Sequence, residues 1–179
     1  MTSILIVGTG ALATLFAARF SAAGISVTML GSWENGLDAL NKNGAQLIDA
    51  KGKENAYPVQ AVSECKNAQN AIVLVKSWQT ERVAHQLEKC LAEDGLVLTL
   101  QNGLGNGEIL ADILGAERVV QGVTTTGASL IKAGVARVGG EGLVSVETHP
   151  HLGTINALLT EASFNVQSVP NVQSLIWSK

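Results

Sequence analysis

The chain opens on an apolar run, Ser3–Val7 (SILIV), in which apolar and polar positions do not alternate. Such a run predicts a strand buried on both faces. The Ala- and Leu-rich stretch Ala11–Ala23 follows and meets Gly24, a natural helix end, and Ile25–Leu30 is a second β-branched run. Strand, helix and strand in close succession predict a βαβ unit with a right-handed crossover. The alternation continues. Leu37–Asn43 reads as a short helix ending at Gly44, and Ala45–Asp49 and Ala56–Val59 as short strands around a Lys51-Gly52-Lys53 turn. Ala71–Val75 reads as a buried strand, Gln79–Leu91 as an amphipathic helix, Leu96–Leu100 as a strand, Gly107–Leu114 as a helix and Val119–Val123 as a strand.

The pattern then changes. Ser129–Lys132, Val135–Val138 and Leu143–Val146 are short strand-like runs separated by Gly-containing turns, which predicts an antiparallel meander. Thr154–Ala162 reads as a helix, Asn165–Val169 as a strand, and Val172–Lys179 begins a further helix. Repeated β-α alternation predicts the α/β class: a doubly wound, mostly parallel sheet of the Rossmann type with a C-terminal antiparallel extension.

Composition narrows the function classes. With 46% hydrophobic and 15% charged residues, the 179-residue chain is globular and long enough for one cored domain. A net charge of -3, with Lys and Arg scattered, argues against a nucleic-acid partner. Cys65 and Cys90 stand in no CxxC or Cys/His pattern, so neither a metal site nor a disulfide is expected, and a reducing cytoplasm fits. The start lacks signal-peptide features, and no apolar stretch approaches the roughly 18 residues of a membrane span. The reading is a soluble, intracellular protein.

Gly8-Thr9-Gly10-Ala11-Leu12-Ala13 fits G-x-G-x-x-G/A. Gly8 permits the tight turn, Gly10 lets backbone approach a pyrophosphate, Ala13 lets helix pack on strand, and the helix N-terminus offers free N–H groups. The motif follows a buried strand and opens a helix, the context a dinucleotide site requires. At the end of the second strand, an acid would read a ribose 2′-OH and an Arg a 2′-phosphate. Gly31-Ser32-Trp33-Glu34 stands there instead. Ser32 suits either sugar, Glu34 is late by a few residues, and Trp33 either stacks on adenine or lies on the surface, so NAD and NADP both remain open. Lys76, after the Ala71–Val75 run, sits where a parallel strand delivers side chains to a ligand crevice, to meet cofactor phosphate or substrate carboxylate. In LQNGLGNGE, Asn102-Gly103 predicts a positive-φ turn whose amide suits a ribose or a carbonyl, and Asn106 is a candidate cap for the helix from Gly107. The Thr run of GVTTTGAS is equally β-propensity or a close-approach strand end. His85, His149 and His151 have no partnered pattern and read as surface or cap residues.

Together these segments resemble the ketopantoate reductase (2-dehydropantoate 2-reductase) family over essentially the whole chain. GTGALA resembles its G-x-G-A-[LM]-G fingerprint, VKSWQT its K-[AS]-[WY]-Q-[TV] segment, QNGLGN its [HQ]-N-G-x-G-N segment, GVTTTGAS its G-x-T-x-x-x-A stretch and IWSK its [LI]-W-x-K. The resemblance implies NADPH-dependent reduction of the 2-keto group of ketopantoate to pantoate, towards pantothenate. It implies that Gly8, Thr9, Gly10, Ala11, Leu12 and Ala13 hold the pyrophosphate and that Ser32, Lys76, Asn102 and Ala128 line the cofactor. Asn102 would also lie near the substrate, and Lys179 would be the general acid that protonates the developing alkoxide. Two departures matter. Gly31-Ser32 stands where the family typically has Arg, which leaves NAD in play. The sequence stops at Lys179, whereas the family continues into a helical domain that shapes the substrate pocket. The expectation is therefore a cofactor-binding N-terminal domain over residues 1–179, with residues 170–179 beginning the linking helix. It would be poorly active alone, take a small 2-keto acid as substrate, and pair as a homodimer through the apolar face left open. A stand-alone NAD(P)-binding or sensing module and a reductase of another 2-keto acid are the alternatives.

Overall fold

Ser3–Val7 forms β1, and parallel strands assemble around it because both of its faces can be buried. The computed structural model describes residues 2–177. Helix α1 (Ala11–Ala22) crosses to β2 (Ser26–Leu30), whose five residues pair in register with β1 from Ser3↔Ser26 to Val7↔Leu30. Then come α2 (Glu34–Asn43), β3 (Ala45–Ile48), β4 (Glu54–Tyr57), β5 (Gln60–Val62) and β6 (Ala68–Val73). A 3-10 turn at Ser77–Gln79 leads into α3 (Thr80–Cys90), followed by β7 (Leu91–Thr99), α4 (Asn106–Leu114) and β8 (Val119–Thr124). The chain continues through β9 (Gly127–Lys132), β10 (Val135–Gly140), β11 (Leu143–Glu147), α5 (Gly153–Glu161), β12 (Asn165–Val169) and α6 (Gln173–Trp177).

The main sheet has eight strands in the order β12-β11-β8-β7-β6-β1-β2-β5. The six from β8 to β5 are mutually parallel, β11 runs antiparallel to β8, and β12 is parallel to β11. The expected mostly parallel sheet with an antiparallel extension is thus present. A second, four-stranded sheet, β4-β3-β10-β9, packs against α1. Phe16 and Phe20 of α1 are fully buried beneath it, and Phe16 stacks on Phe164 at 4.2 Å between ring centroids. On the opposite face of the main sheet, Val83, Ala84 and Leu87 of α3 and Leu110 and Leu114 of α4 cover Leu5, Val7, Val73 and Val97.

Four local expectations are corrected. The predicted meander divides: β9 and β10 form a hairpin, but β10 then pairs in parallel with β3, and β11 leaves for the main sheet. Gly142 makes that departure possible, because a Cβ there would lie 2.2 Å from the Thr126 backbone nitrogen. The predicted Ala56–Val59 strand is split at Pro58, which has no N–H for a ladder; β4 before it joins the small sheet, and β5 after it joins β2. Cys65 and Cys90 are joined in a disulfide, with Cα atoms 5.4 Å apart. Their separation of 25 residues hides that the β5–β6 connection and the end of α3 meet below the sheet. Asn106 is not a cap but the buried first residue of α4, whose N-cap position is Gly105.

Candidate functional site

The carboxyl ends of β1, β2, β6 and β7 open on one cleft of about 550 Å³, a volume that suits a cofactor-sized ligand. This is the edge where a doubly wound sheet reverses direction, with β2 to one side of β1 and β6 to the other. Gly8, Thr9, Gly10, Ala11 and Leu12 form its floor; Gly31, Ser32 and Trp33 stand at one end; Lys76 and Asn102 rise in the middle; Thr126 and Ala128 close the other end. All predicted site residues within the described chain line the cleft except Ala13. That residue is fully buried and holds α1 close to β1: a Cβ on Gly8 would meet its Cβ at 3.4 Å. Lys179 lies outside the described residues. The helix leading to it docks through Val172 and Ile176 against Val123, near the end of β8 and so on the cleft side of the sheet.

The floor has the geometry that a phosphate needs. Gly8 has φ +131°, a conformation that L side chains rarely adopt. A Cβ on Gly10 would meet nothing within 4 Å, so the space above it is open to the cleft. Helix α1 starts with no side-chain cap and no acid in its first turn. Its earliest backbone bond runs from Thr14 N–H to the Gly10 carbonyl, so the preceding N–H groups keep their donor capacity for an anion. The Thr126 side chain, 7% exposed, carries a buried hydroxyl with no hydrogen-bond partner among the described residues, and it too belongs to the cleft wall. Lys76 and Arg82 are the only charged residues among the described lining residues. The cleft of this net-negative chain is therefore cationic. These features fit a dinucleotide phosphate.

A buried polar knot holds the middle of the cleft. Thr80 is fully buried at the start of α3, and its Oγ1 lies 2.8 Å from both the Ser77 carbonyl and Asn106 Oδ1. The same oxygen accepts from Gln101 Nε2 at 2.9 Å, and that nitrogen also donates to the Val75 carbonyl at 3.0 Å. Asn106 Nδ2 donates to the carbonyls of Asn102 and Gly103, both at 3.1 Å. The loop carrying Lys76 is thereby tied to the loop carrying Asn102. Gly103 takes the predicted positive φ, +93°. The sequence reading missed Thr80 and Gln101 and took Asn106 for a cap. They sit inside the quoted VKSWQT and QNGLGN segments, but nothing in either segment shows that the two loops touch. It also missed Arg82 and Gln86, cleft residues on the first and second turns of α3.

His85 pairs with Glu88, and His149 Nδ1 accepts from the His151 backbone N–H; His85 and His151 are exposed and His149 is half-buried, so none of the three lies in the core. Among the described residues there is no metal-ligating cluster and no helix long and apolar enough to cross a membrane.

Residues 4–151 match the family model described as ketopantoate reductase PanE/ApbA. The chain belongs to that family. A 2-dehydropantoate 2-reductase of Archaeoglobus fulgidus is 33% identical over 97% of the chain, and one of Halobacterium salinarum is 26% identical over 98%. The chain spans 58% and 60% of the lengths of those two relatives. A PanE/ApbA family ketopantoate reductase from Ralstonia eutropha JMP134 has a similar structure, with a TM-score of 0.90 and 25% identity over 99% of this chain and 59% of that one. D-mandelate dehydrogenase, solved with NADH and anilino(oxo)acetate, shares the fold: TM-score 0.86 and 23% identity over 98% of this chain and 59% of the other.

Proposed function

We propose that this chain is the cofactor-binding domain of an NADPH-dependent 2-keto acid reductase, with 2-dehydropantoate as the substrate. The uncapped N-terminus of α1 behind Gly8 and Gly10, opening at the switch point of the parallel sheet, carries the reading. Family membership supplies the reaction class, and the relatives named 2-dehydropantoate 2-reductase support the substrate.

In this reading the N–H groups of the first turn of α1 bind the pyrophosphate. Ser32 binds the adenosine side, and Lys76, Asn102 and Ala128 line the cofactor and its nicotinamide end, with Asn102 also near the substrate. When bound, the nicotinamide supplies the hydride that reduces the keto carbon. The ammonium of Lys179 polarises the keto oxygen and donates the proton that completes the alcohol. Helix α6 ends at Trp177, two residues before Lys179 in the sequence, and is docked beside Val123 near the end of β8, which supports assigning the acid to Lys179. Residues 1–179 act as one domain, and the substrate pocket is completed by a helical partner of the kind that the longer family members carry.

Calorimetric titration of NADPH into the chain and into Gly10→Val tests this. A Cβ at position 10 meets no protein atom within 4 Å, so a valine there projects into the open space and thermal stability holds while affinity falls at least tenfold. Equal binding by both proteins, or none by the wild type, refutes the reading.

A further inference from the structure

The end of β2 carries neither of the groups that distinguish the two nicotinamide dinucleotides. Glu34, the nearest acid, is exposed in the first turn of α2 and does not line the cleft. Gly31 has no room for a basic side chain: a Cβ there would lie 2.6 Å from Thr9 Cγ2. The opposite wall is different. Gln79, Arg82, Val83 and Gln86 follow the i, i+3, i+4, i+7 spacing of one helical face, and all four line the cleft. Val83 and Leu30, the last residue of β2, both line the cleft and belong to one buried cluster, which places this face of α3 in the same cleft as the end of β2. Arg82 Nη1 donates to Gln86 Oε1 at 2.9 Å, which orients the guanidinium along the helix. Among the described residues its other N–H groups have no partner, and no carboxylate pairs with it.

We propose that Arg82, held by Gln86 and lining the same cleft as Ser32, binds the 2′-phosphate of the adenosine ribose and makes this site select NADP(H) over NAD(H). The inference rests on the dinucleotide reading above and assigns a specificity determinant within it. A guanidinium is the side chain suited to this task, because its fork matches two phosphate oxygens and it carries its charge at any working pH. The absence of any acid among the described lining residues points the same way, since a carboxylate beside the ribose favours a free 2′-OH and repels a phosphate there. Gln86 acts as a positioning residue through its bond to Nη1.

The test measures dissociation constants for NADPH, NADH and 2′,5′-ADP with the wild type, Arg82→Gln, Arg82→Lys and the control Lys89→Gln. Lys89 lies on the same helix, is exposed and does not line the cleft. The wild type is expected to prefer NADPH over NADH by tenfold or more. Arg82→Gln weakens NADPH and 2′,5′-ADP by roughly 10- to 100-fold and leaves NADH within about twofold. Arg82→Lys keeps part of the preference, and Lys89→Gln changes neither nucleotide. Equal losses for NADPH and NADH, or no loss for either, overturn the assignment to Arg82 while leaving dinucleotide binding intact. A wild type that binds neither nucleotide overturns the parent reading and this inference together.

Discussion

Replacing Thr80 by Val removes one hydroxyl from the knot beneath Lys76 and Asn102 and leaves the side chain's shape nearly unchanged. Thr80 is fully buried, so water cannot take the lost partner's place. The Gln101 Nε2 proton that pointed at Thr80 Oγ1 loses its acceptor, and Asn106 Oδ1 loses its donor. The Ser77 carbonyl keeps the Thr80 backbone N–H and stays satisfied. Two buried polar atoms are therefore stranded, each costing about 1–3 kcal/mol, and partial relaxation brings the total to about 2–4 kcal/mol. For a chain of this size that is a fall in Tm of roughly 4–16 °C. Thr80→Ser keeps the hydroxyl and loses only a methyl group, at about 1 kcal/mol. Calorimetric melting of the three proteins separates the two effects. Nucleotide affinity should also weaken in Thr80→Val, because the loops carrying Lys76 and Asn102 lose their common anchor. If Thr80→Val melts within a degree of the wild type, or if Thr80→Ser is the worse of the two, the knot does not hold the cleft together.

Two further outcomes follow from the same structure. Thr126→Val removes a buried hydroxyl that has no protein partner, so the free protein is as stable as the wild type or slightly more stable. Its NADPH affinity falls by roughly 3- to 10-fold; a drop in Tm with unchanged affinity would show that the hydroxyl serves the fold and not the ligand. Reducing the Cys65–Cys90 disulfide, which spans 25 residues, releases loop-closure entropy worth about 3–4 kcal/mol on the chain-entropy model. Melting with and without dithiothreitol should show a fall in Tm of roughly 6–16 °C, whereas two titratable thiols in the unreduced native protein would contradict the pairing.

The elements that local pattern determines were legible in the sequence. Ser3–Val7, which ends at Gly8, and Ile25–Leu30, set between Gly24 and Gly31, are mostly buried runs, and they form adjacent parallel strands inside the sheet. The phosphate loop was legible for the same reason: Gly8, Gly10 and Ala13 each answer a local steric demand. What the sequence hid depends on distant contacts. The pairing of β10 with β3 joins Val135 to Gln46, and no local signal distinguishes it from continuation of the β9–β10 hairpin. The Cys65–Cys90 pair was hidden similarly, since sequence spacing does not show which connections meet below the sheet. In the cleft, Lys76 and Asn102 could be picked out because each ends a strand run. Thr80, Gln101 and Asn106 looked like ordinary helix-start and loop residues, and Arg82 like a solvated helix position. Their roles come from two loops and a helix face brought together only by the β7-β6-β1 order of the sheet.

The most direct test of the central claim is a crystal structure of the chain grown with NADPH. The account predicts one dinucleotide along the carboxyl ends of the parallel strands, with pyrophosphate oxygens about 3 Å from the backbone N–H groups of Ala11 and Leu12 and passing over Gly10. A nucleotide bound elsewhere on the surface, or a cleft that stays empty at saturating NADPH, would contradict it.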